Sequence, residues 1–160
     1  MVGELQGQIR QRRPFDSPEA EAFLNVLRTA AVLTHGLTEV LRPHELSQPQ
    51  YNVLRILRGA GPAGVPSMVV GERMVARDPD VTRLLDRLET RGLVARARDV
   101  ADRRVILVRL TDEGRRQVDE LDAPVRDMHR RQLGHLTPDE LAALSALLAA
   151  ARREGGVPAP

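Results

Sequence analysis

Apolar residues recur at the spacing of one helix face in the middle of the chain, at Val81, Leu84, Leu85 and Leu88. The positions between them are polar and fall on the opposite face: Thr82, Arg83, Asp86 and Arg87. This pattern predicts an amphipathic helix that packs one face on a core and leaves the other open to a partner.

Both ends of this helix carry boundary signals. Asp78 is a good N-cap, and Pro79 suits the first helical position. Gly92 followed by Leu93 is typical of a glycine stop, in which the apolar residue closes the last turn. The sequence therefore predicts a helix between Asp78 and Gly92.

The period changes from helical to alternating after Gly92. Val94, Arg96 and Arg98 share one side of a predicted strand, a polar turn covers residues 99–103, and a return strand covers residues 104–110. This predicted hairpin carries five arginines: Arg96, Arg98, Arg103, Arg104 and Arg109. Such a density of guanidinium groups suits a phosphate backbone or a narrow minor groove.

The segment before this helix predicts a loose arm and three helices. Residues 1–16 are polar and are expected to be flexible. A long helix opens at Ser17 and ends at Pro43, and a second opens at the capping box that starts with Ser47 and ends in the glycine-rich loop at 59–64. A short third helix runs from Pro66 to about Val75, where Gly71 permits close approach of the next helix.

Two further helices are predicted after the hairpin. Thr111 caps the first of them, and Pro124 is expected to kink or break it. Thr137, Pro138 and Glu140 form a capping signature for the last helix, whose apolar side holds Leu141, Leu144, Leu147, Leu148 and Ala151. The first and last helices need more apolar cover than one small lobe provides, which favours a two-fold dimer over packing within one chain.

Composition narrows the classes of protein to which the chain can belong. The chain has 160 residues, of which 42% are hydrophobic, and it fits one globular domain. All 24 basic residues are arginine, which forms bidentate contacts with phosphate and guanine, although the formal net charge is only +2. The absence of cysteine excludes disulfides and thiol switches, and no apolar run reaches the length of a membrane span. We expect a cytoplasmic protein without cofactor or membrane partner.

Linked motifs in the middle of the chain resemble one family. They are Gln50-Tyr51-Asn52-Val53-Leu54, the run from Val81 to Glu89, Arg91-Gly92-Leu93-Val94, Asp102-Arg103-Arg104, and Leu110-Thr111 with Gly114. Their order and spacing are similar to those of the multiple-antibiotic-resistance-regulator (MarR) family of winged-helix repressors. The resemblance covers about half of the chain, from Leu46 to Leu121.

The resemblance implies a mainly helical fold with a β-hairpin wing, and five segments. These are a flexible arm (1–16), a dimerisation helix (17–45), a winged helix-turn-helix lobe (46–111), C-terminal dimerisation helices (112–154) and a disordered tail (155–160). It also implies a homodimer that reads a pseudo-palindromic stretch of double-stranded DNA, with recognition helices about 34 Å apart. Repression is the common mode in this family.

The resemblance also assigns roles to particular residues. Thr82, Arg83 and Arg87 are expected in or beside the major groove, and Arg98, Arg103 and Arg104 on the backbone or minor groove, with Asp102 holding an arginine side chain. Arg87 has an alternative role in an ion pair with Asp86 or Glu89. Asp80 either accepts a hydrogen bond from cytosine or stands off the groove. A small aromatic or phenolic effector would draw on His35, His44, Tyr51 and Arg55.

Other classes of function have less support. The four histidines lie in separate segments, and the sequence has no HExxH motif, phosphate loop or nucleophile elbow, so we do not expect an enzyme. His129 and His135 are poorly spaced for a shared metal ion, and we predict no metal site. A winged helix that binds protein instead of DNA is the alternative function, but a projecting row of arginines argues against it.

Overall fold

A computed structural model describes residues 4–76 and 80–154 of the chain. They form eight α-helices, a 3₁₀ turn and three short strands. The helices are α1 (Glu4–Gln8), α2 (Pro18–Leu41), α3 (Gln48–Ala60), α4 (Ser67–Glu72), α5 (Val81–Thr90), α6 (Asp112–Glu120), α7 (Asp122–Leu133) and α8 (Pro138–Glu154). The strands are β1 (Val65–Pro66), β2 (Val94–Arg98) and β3 (Ile106–Leu110), and the 3₁₀ turn is Arg42–His44. The predicted mainly helical class with a β-hairpin is confirmed.

The chain divides into two compact units between residues 37 and 38. The first unit contains α1 and most of α2. Leu5 of α1 is buried, so this part of the predicted loose arm is a short helix instead. The N–H of Ala20 donates to Ser17 Oγ at 3.2 Å, which confirms the predicted start of α2.

The end of α2 belongs to the second unit. The helix stops at Leu41, because Pro43 lacks the N–H that the next turn needs, and the 3₁₀ turn follows. Glu45 then takes a left-handed backbone with φ of 53° and turns the chain toward α3. The predicted capping box opens α3: Ser47 N donates to Gln50 Oε1 at 2.9 Å, and Gln50 N donates to Ser47 Oγ at 3.3 Å.

The sheet has the order β1-β3-β2, with both pairs antiparallel. The predicted hairpin is β2 and β3, in the register that sets Arg98 opposite Ile106 and Val94 opposite Leu110. The third strand, β1, pairs Val65 with Val108 and was not predicted. Its two residues lie where the sequence predicts the start of the third helix, so α4 begins one residue later, at Ser67, and ends at Glu72, before the predicted end near Val75.

Helix α5 starts later than predicted. Its N-cap is Asp80, whose Oδ1 accepts from Arg83 N at 3.1 Å, so the assignment of this role to Asp78 is wrong. Asp78 and Pro79 lie outside the described residues. The predicted end is confirmed, because Gly92 has φ of 69° and Leu93 N donates to Leu88 O at 3.0 Å. A Cβ on Gly71 would lie 3.3 Å from Val81 Cγ2, so the close approach predicted at that glycine also exists.

The buried core of the second unit lies between α3, α5, α6 and the sheet. It includes Val53, Leu54 and Leu57 of α3, Leu85 and Leu88 of α5, Val108 of β3 and Val118 of α6. The helix that the sequence predicts after Thr111 is broken at Leu121, and Pro124 sits in the first turn of α7, where a missing N–H costs little. The capping signature of α8 is confirmed by Thr137 N, which donates to Glu140 Oε2 at 2.8 Å.

None of the helices within the described ranges has the length and hydrophobicity needed to cross a membrane.

Gly114 is where α6 passes closest to the turn after α5. A Cβ at this position would collide with the carbonyl oxygen of Leu93. We predict that Gly114→Ala lowers the free energy of unfolding by about 2 kcal/mol or more, because backbone must move to make room. Urea denaturation followed by circular dichroism measures this loss.

Gly59→Ala is the matched control. Gly59 lies in α3 and has no atom within 4 Å of its ideal Cβ position, so alanine there should be neutral or stabilise by up to about 1 kcal/mol. Equal stability of the two variants would contradict the close contact at Gly114.

Candidate nucleic-acid interface

The outward face of α5 is polar and exposed, as predicted. Thr82, Arg83 and Arg87 all point to solvent, while Leu84, Leu85 and Leu88 are buried on the other side. Arg83 and Arg87 are one helical turn apart and line a shallow groove of about 470 Å³, together with Gln50 and Thr90. The amphipathic pattern therefore leaves two guanidinium groups side by side on the surface.

Among the described residues, Arg83 and Arg87 form no ion pair. The alternative role of Arg87 as a partner of Asp86 or Glu89 is wrong, because those carboxylates face Arg96 of the wing instead. The acidic groups of α5 are thus used within the protein.

Arg96 joins the wing to α5 through three contacts. Its Nη2 lies 2.6 Å from Asp86 Oδ1 and donates to Thr82 O at 3.1 Å, and its Nε lies 3.7 Å from Glu89 Oε2. The backbone N–H of Arg96 also donates to Glu89 Oε1 at 3.2 Å. The side chain is only 21% exposed, so Arg96 is a structural link and not one of the free arginines that the hairpin pattern predicts.

Sequence reasoning missed this role, although a signal for it was present. Val94 and Arg96 lie on the same side of β2, and Val94 is buried. Since alternate residues of a strand face the same way, Arg96 shares the side of the buried Val94, and there it reaches Asp86 and Glu89 of α5.

The turn of the wing is organised by two aspartates. Asp99 Oδ1 accepts from Ala101 N at 2.8 Å, and Asp102 Oδ1 accepts from Arg104 N at 3.0 Å. Asp102 therefore holds the backbone of the turn, and the prediction that it holds an arginine side chain is wrong for this structure. These side-chain bonds resemble backbone turns and fix the tip in one conformation.

The remaining arginines of the wing are exposed. Arg98 on β2, and Arg103 and Arg104 in the turn, form no ion pair with any residue in the described parts of the chain. Arginine stays charged at any physiological pH, so these arginines and those on the outer face of α5 present exposed positive charge. Such surfaces attract polyanions.

The predicted effector residues fall in both compact units. His35 is exposed on α2 in the first unit, where it lines a groove with Leu24 and Arg28. Tyr51 of the second unit is buried, which raises the pKa of its hydroxyl, and the guanidinium carbon of Arg55 lies 6.0 Å from the centre of its ring. The structure therefore brings Tyr51 and Arg55 together.

His44 takes part through its backbone. Its carbonyl oxygen accepts from Arg91 Nη2 at 3.0 Å and from Gln117 Nε2 at 3.2 Å, and Arg91 Nη1 also donates to Glu45 O at 2.6 Å. These bonds tie the turn after α2 to the end of α5 and to α6. These bonds were not predictable from the sequence, because the partners are 46 or more residues apart.

Comparisons with known proteins bear on the family to which the chain belongs. A model of the MarR family matches residues 46–106. The chain is 44% identical to a MarR transcription factor from Planctomyces limnophilus, over 86% of this chain and 99% of that one, with a TM-score of 0.66. The chain belongs to the MarR family. It is therefore a DNA-binding transcriptional regulator and not an enzyme.

Two further solved structures of MarR-family members are similar over almost their whole length. A variant of MarR from E. coli, solved with operator DNA, is 26% identical over 93% of this chain and 99% of that one, with a TM-score of 0.75. BpsR from Bordetella bronchiseptica, whose DNA binding is regulated by 6-hydroxynicotinic acid, is 27% identical over 88% of this chain and 98% of that one, also with a TM-score of 0.75.

The link between the wing and α5 at Arg96 can be tested by measuring the stability of variants. We predict that Arg96→Gln lowers the free energy of unfolding by about 1–3 kcal/mol, because it leaves half-buried acceptors on α5 without their charged donor. Arg98→Gln on the same strand should change it by less than about 0.5 kcal/mol, since Arg98 is exposed. Urea denaturation of both variants checks this, and equal losses would contradict a special role for Arg96.

Proposed function

We propose that the chain is a homodimeric repressor that reads a pseudo-palindromic operator. In this proposal Arg83 and Arg87 of α5, with Thr82, meet the major groove, and Arg98, Arg103 and Arg104 of the wing meet the backbone and the flanking minor groove. The observation that carries the proposal is the division of charge on this surface. The carboxylates Asp86 and Glu89 face Arg96, while the outward arginines have no acidic partner among the described residues.

Asp80 has a limited role in this proposal. Its carboxylate caps α5 by accepting from Arg83 N, which occupies one of its oxygens at the end of the helix nearest the expected DNA. A carboxylate repels phosphate, so Asp80 would help to exclude a binding register in which the DNA backbone lies against the N-terminal end of α5. Asp102 acts by holding the wing turn in shape.

Support for a dimer comes from apolar residues on the terminal helices. Phe23 of α2 is 63% exposed, and Leu147 of α8, on the apolar side that the sequence predicts, is 69% exposed. Exposed large side chains in a row indicate an interface. A second copy of the chain is the partner that a pseudo-palindromic operator requires.

We also propose that a small aromatic or phenolic anion relieves DNA binding. Arg55 is exposed and lies beside the buried Tyr51, so it offers a charged group to such a ligand, and the DNA binding of BpsR is regulated by a small aromatic acid. The backbone bonds of the 42–45 turn to Arg91 would carry the effect to α5. Binding would shift the population away from the form that fits the operator.

The division between base and backbone contacts can be measured. We predict that Arg104→Ala weakens binding to every duplex and lowers the slope of log K against log salt by about 1, because it removes one phosphate or minor-groove contact. Arg83→Ala should also reduce the preference for the chosen sequence, by about 1–3 kcal/mol. Fluorescence anisotropy with the duplex that the wild type selects from a random library, and with a scrambled duplex, gives both quantities.

Arg131→Ala serves as the control for that experiment, because Arg131 is exposed on α7, away from α5 and the wing. It should leave sequence preference unchanged. Equal, sequence-independent losses in Arg83→Ala and Arg104→Ala would contradict the assigned roles, and failure of the wild type to select any duplex would favour the protein-binding alternative.

The dimer is tested on α8. We predict that Leu147→Glu shifts the protein toward monomer, because it places a charge in an apolar interface. Ala142→Glu, at an exposed position about 140° away around the same helix, should leave the dimer intact. Sedimentation velocity over a range of concentrations distinguishes them, and a monomeric wild type would contradict the proposal.

A further inference from the structure

One arginine lies outside the proposed DNA-binding surface and bridges a break between two helices. Arg58, in the last turn of α3, donates from Nη1 to Asp119 Oδ1 and to Asp122 Oδ2, and from Nη2 to Asp122 Oδ1, each at 2.9 Å. Its side chain is 27% exposed. One guanidinium therefore holds the last turn of α6 and the first residue of α7 at the same time.

The break that Arg58 bridges is the junction between α6 and α7 at Leu121, called the joint below. Leu121 separates α6 from α7, so the direction of α7 is not set by one continuous helical ladder. Helix α6 packs against α3 and β3, within the lobe that carries α5 and the wing. Helix α7 leads on to α8, whose Leu144 and Leu147 are exposed. The angle at Leu121 thus relates the recognition helix to the C-terminal helices.

Without Arg58, the two carboxylates at the joint would repel each other. Asp119 and Asp122 both lie within hydrogen-bond distance of the same nitrogen, so their carboxylates are close together and repel. The hydrogen bond from Arg58 lowers the pKa of Asp122, and the charges of Arg126 and Arg55 act in the same direction. A bidentate arginine fixes both distance and orientation, which a single ammonium group cannot do.

We propose that Arg58 is a positioning residue that sets the angle between the DNA-binding lobe and the C-terminal helices, and with it the half-site spacing that the dimer reads. The inference rests on the proposed function, because spacing has meaning only for a dimer on a two-part operator. One added base pair separates the half-sites by about 3.4 Å and rotates one against the other by roughly 35°. A dimer with a rigid joint binds the altered spacing more weakly, whereas a dimer with a flexible joint binds both spacings with similar affinity.

The test compares operators of different spacing. The wild-type protein first selects a duplex from a random-sequence library, and versions of that duplex are then made one base pair longer or shorter at the centre. Affinities are measured by fluorescence anisotropy for the wild type, Arg58→Gln, Asp122→Asn and Arg131→Gln. Arg131→Gln removes an exposed charge from the same helix α7 and is the matched control. Circular dichroism verifies that each variant is folded.

We expect the wild type and Arg131→Gln to prefer the selected spacing by about tenfold or more, and Arg58→Gln and Asp122→Asn to prefer it by less than about threefold. If Arg58→Gln does not fold, Asp122→Asn decides, because it weakens the same bridge from the other end. A folded variant that binds with an unchanged spacing ratio overturns the inference while leaving the proposed function intact. A wild type that selects no duplex overturns both.

Discussion

The proposed DNA-binding surface depends on one set of contacts, those of Arg96 with α5. A two-stranded hairpin is marginally stable by itself, and the third strand contributes only two residues. The contacts from Arg96 to Thr82, Asp86 and Glu89 attach the hairpin to α5. They also engage the carboxylates of α5, so that these carboxylates pair with Arg96 and not with the outward arginines. The contacts of Arg96 therefore affect both the position of the wing on α5 and the distribution of charge on this surface.

The local part of the fold was predictable from the sequence. The capping box at Ser47, the cap at Thr111 and the glycine stop at Gly92 all depend on residues within a few positions of each other, and all three are present. The helix faces of α5 were predictable for the same reason. Where two neighbours compete for one role, as Asp78 and Asp80 do for the cap of α5, the sequence cannot decide, because the choice depends on how the chain enters the helix.

Features that join distant segments were not predictable. Strand β1 exists because Val65 pairs with Val108 of the predicted return strand, and the two residues of β1 carry no strand signal of their own. Arg58 and Arg91 find partners more than 40 residues away, so their patterns in the sequence look like those of any surface arginine. The candidate site was predicted as a set of arginines, and the structure divides that set: Arg96 binds within the protein, whereas no ion pair with another described residue is formed by Arg83, Arg87, Arg98, Arg103 or Arg104.

The order of the sheet has a further consequence. Strand β2 lies at an edge of the sheet, and an edge strand can pair with a strand from another molecule unless something covers it. The backbone N–H of Arg96 already donates to Glu89 Oε1, so α5 covers part of this edge, and the exposed Arg98 adds a charge near its end. Both features disfavour the pairing of one wing with another.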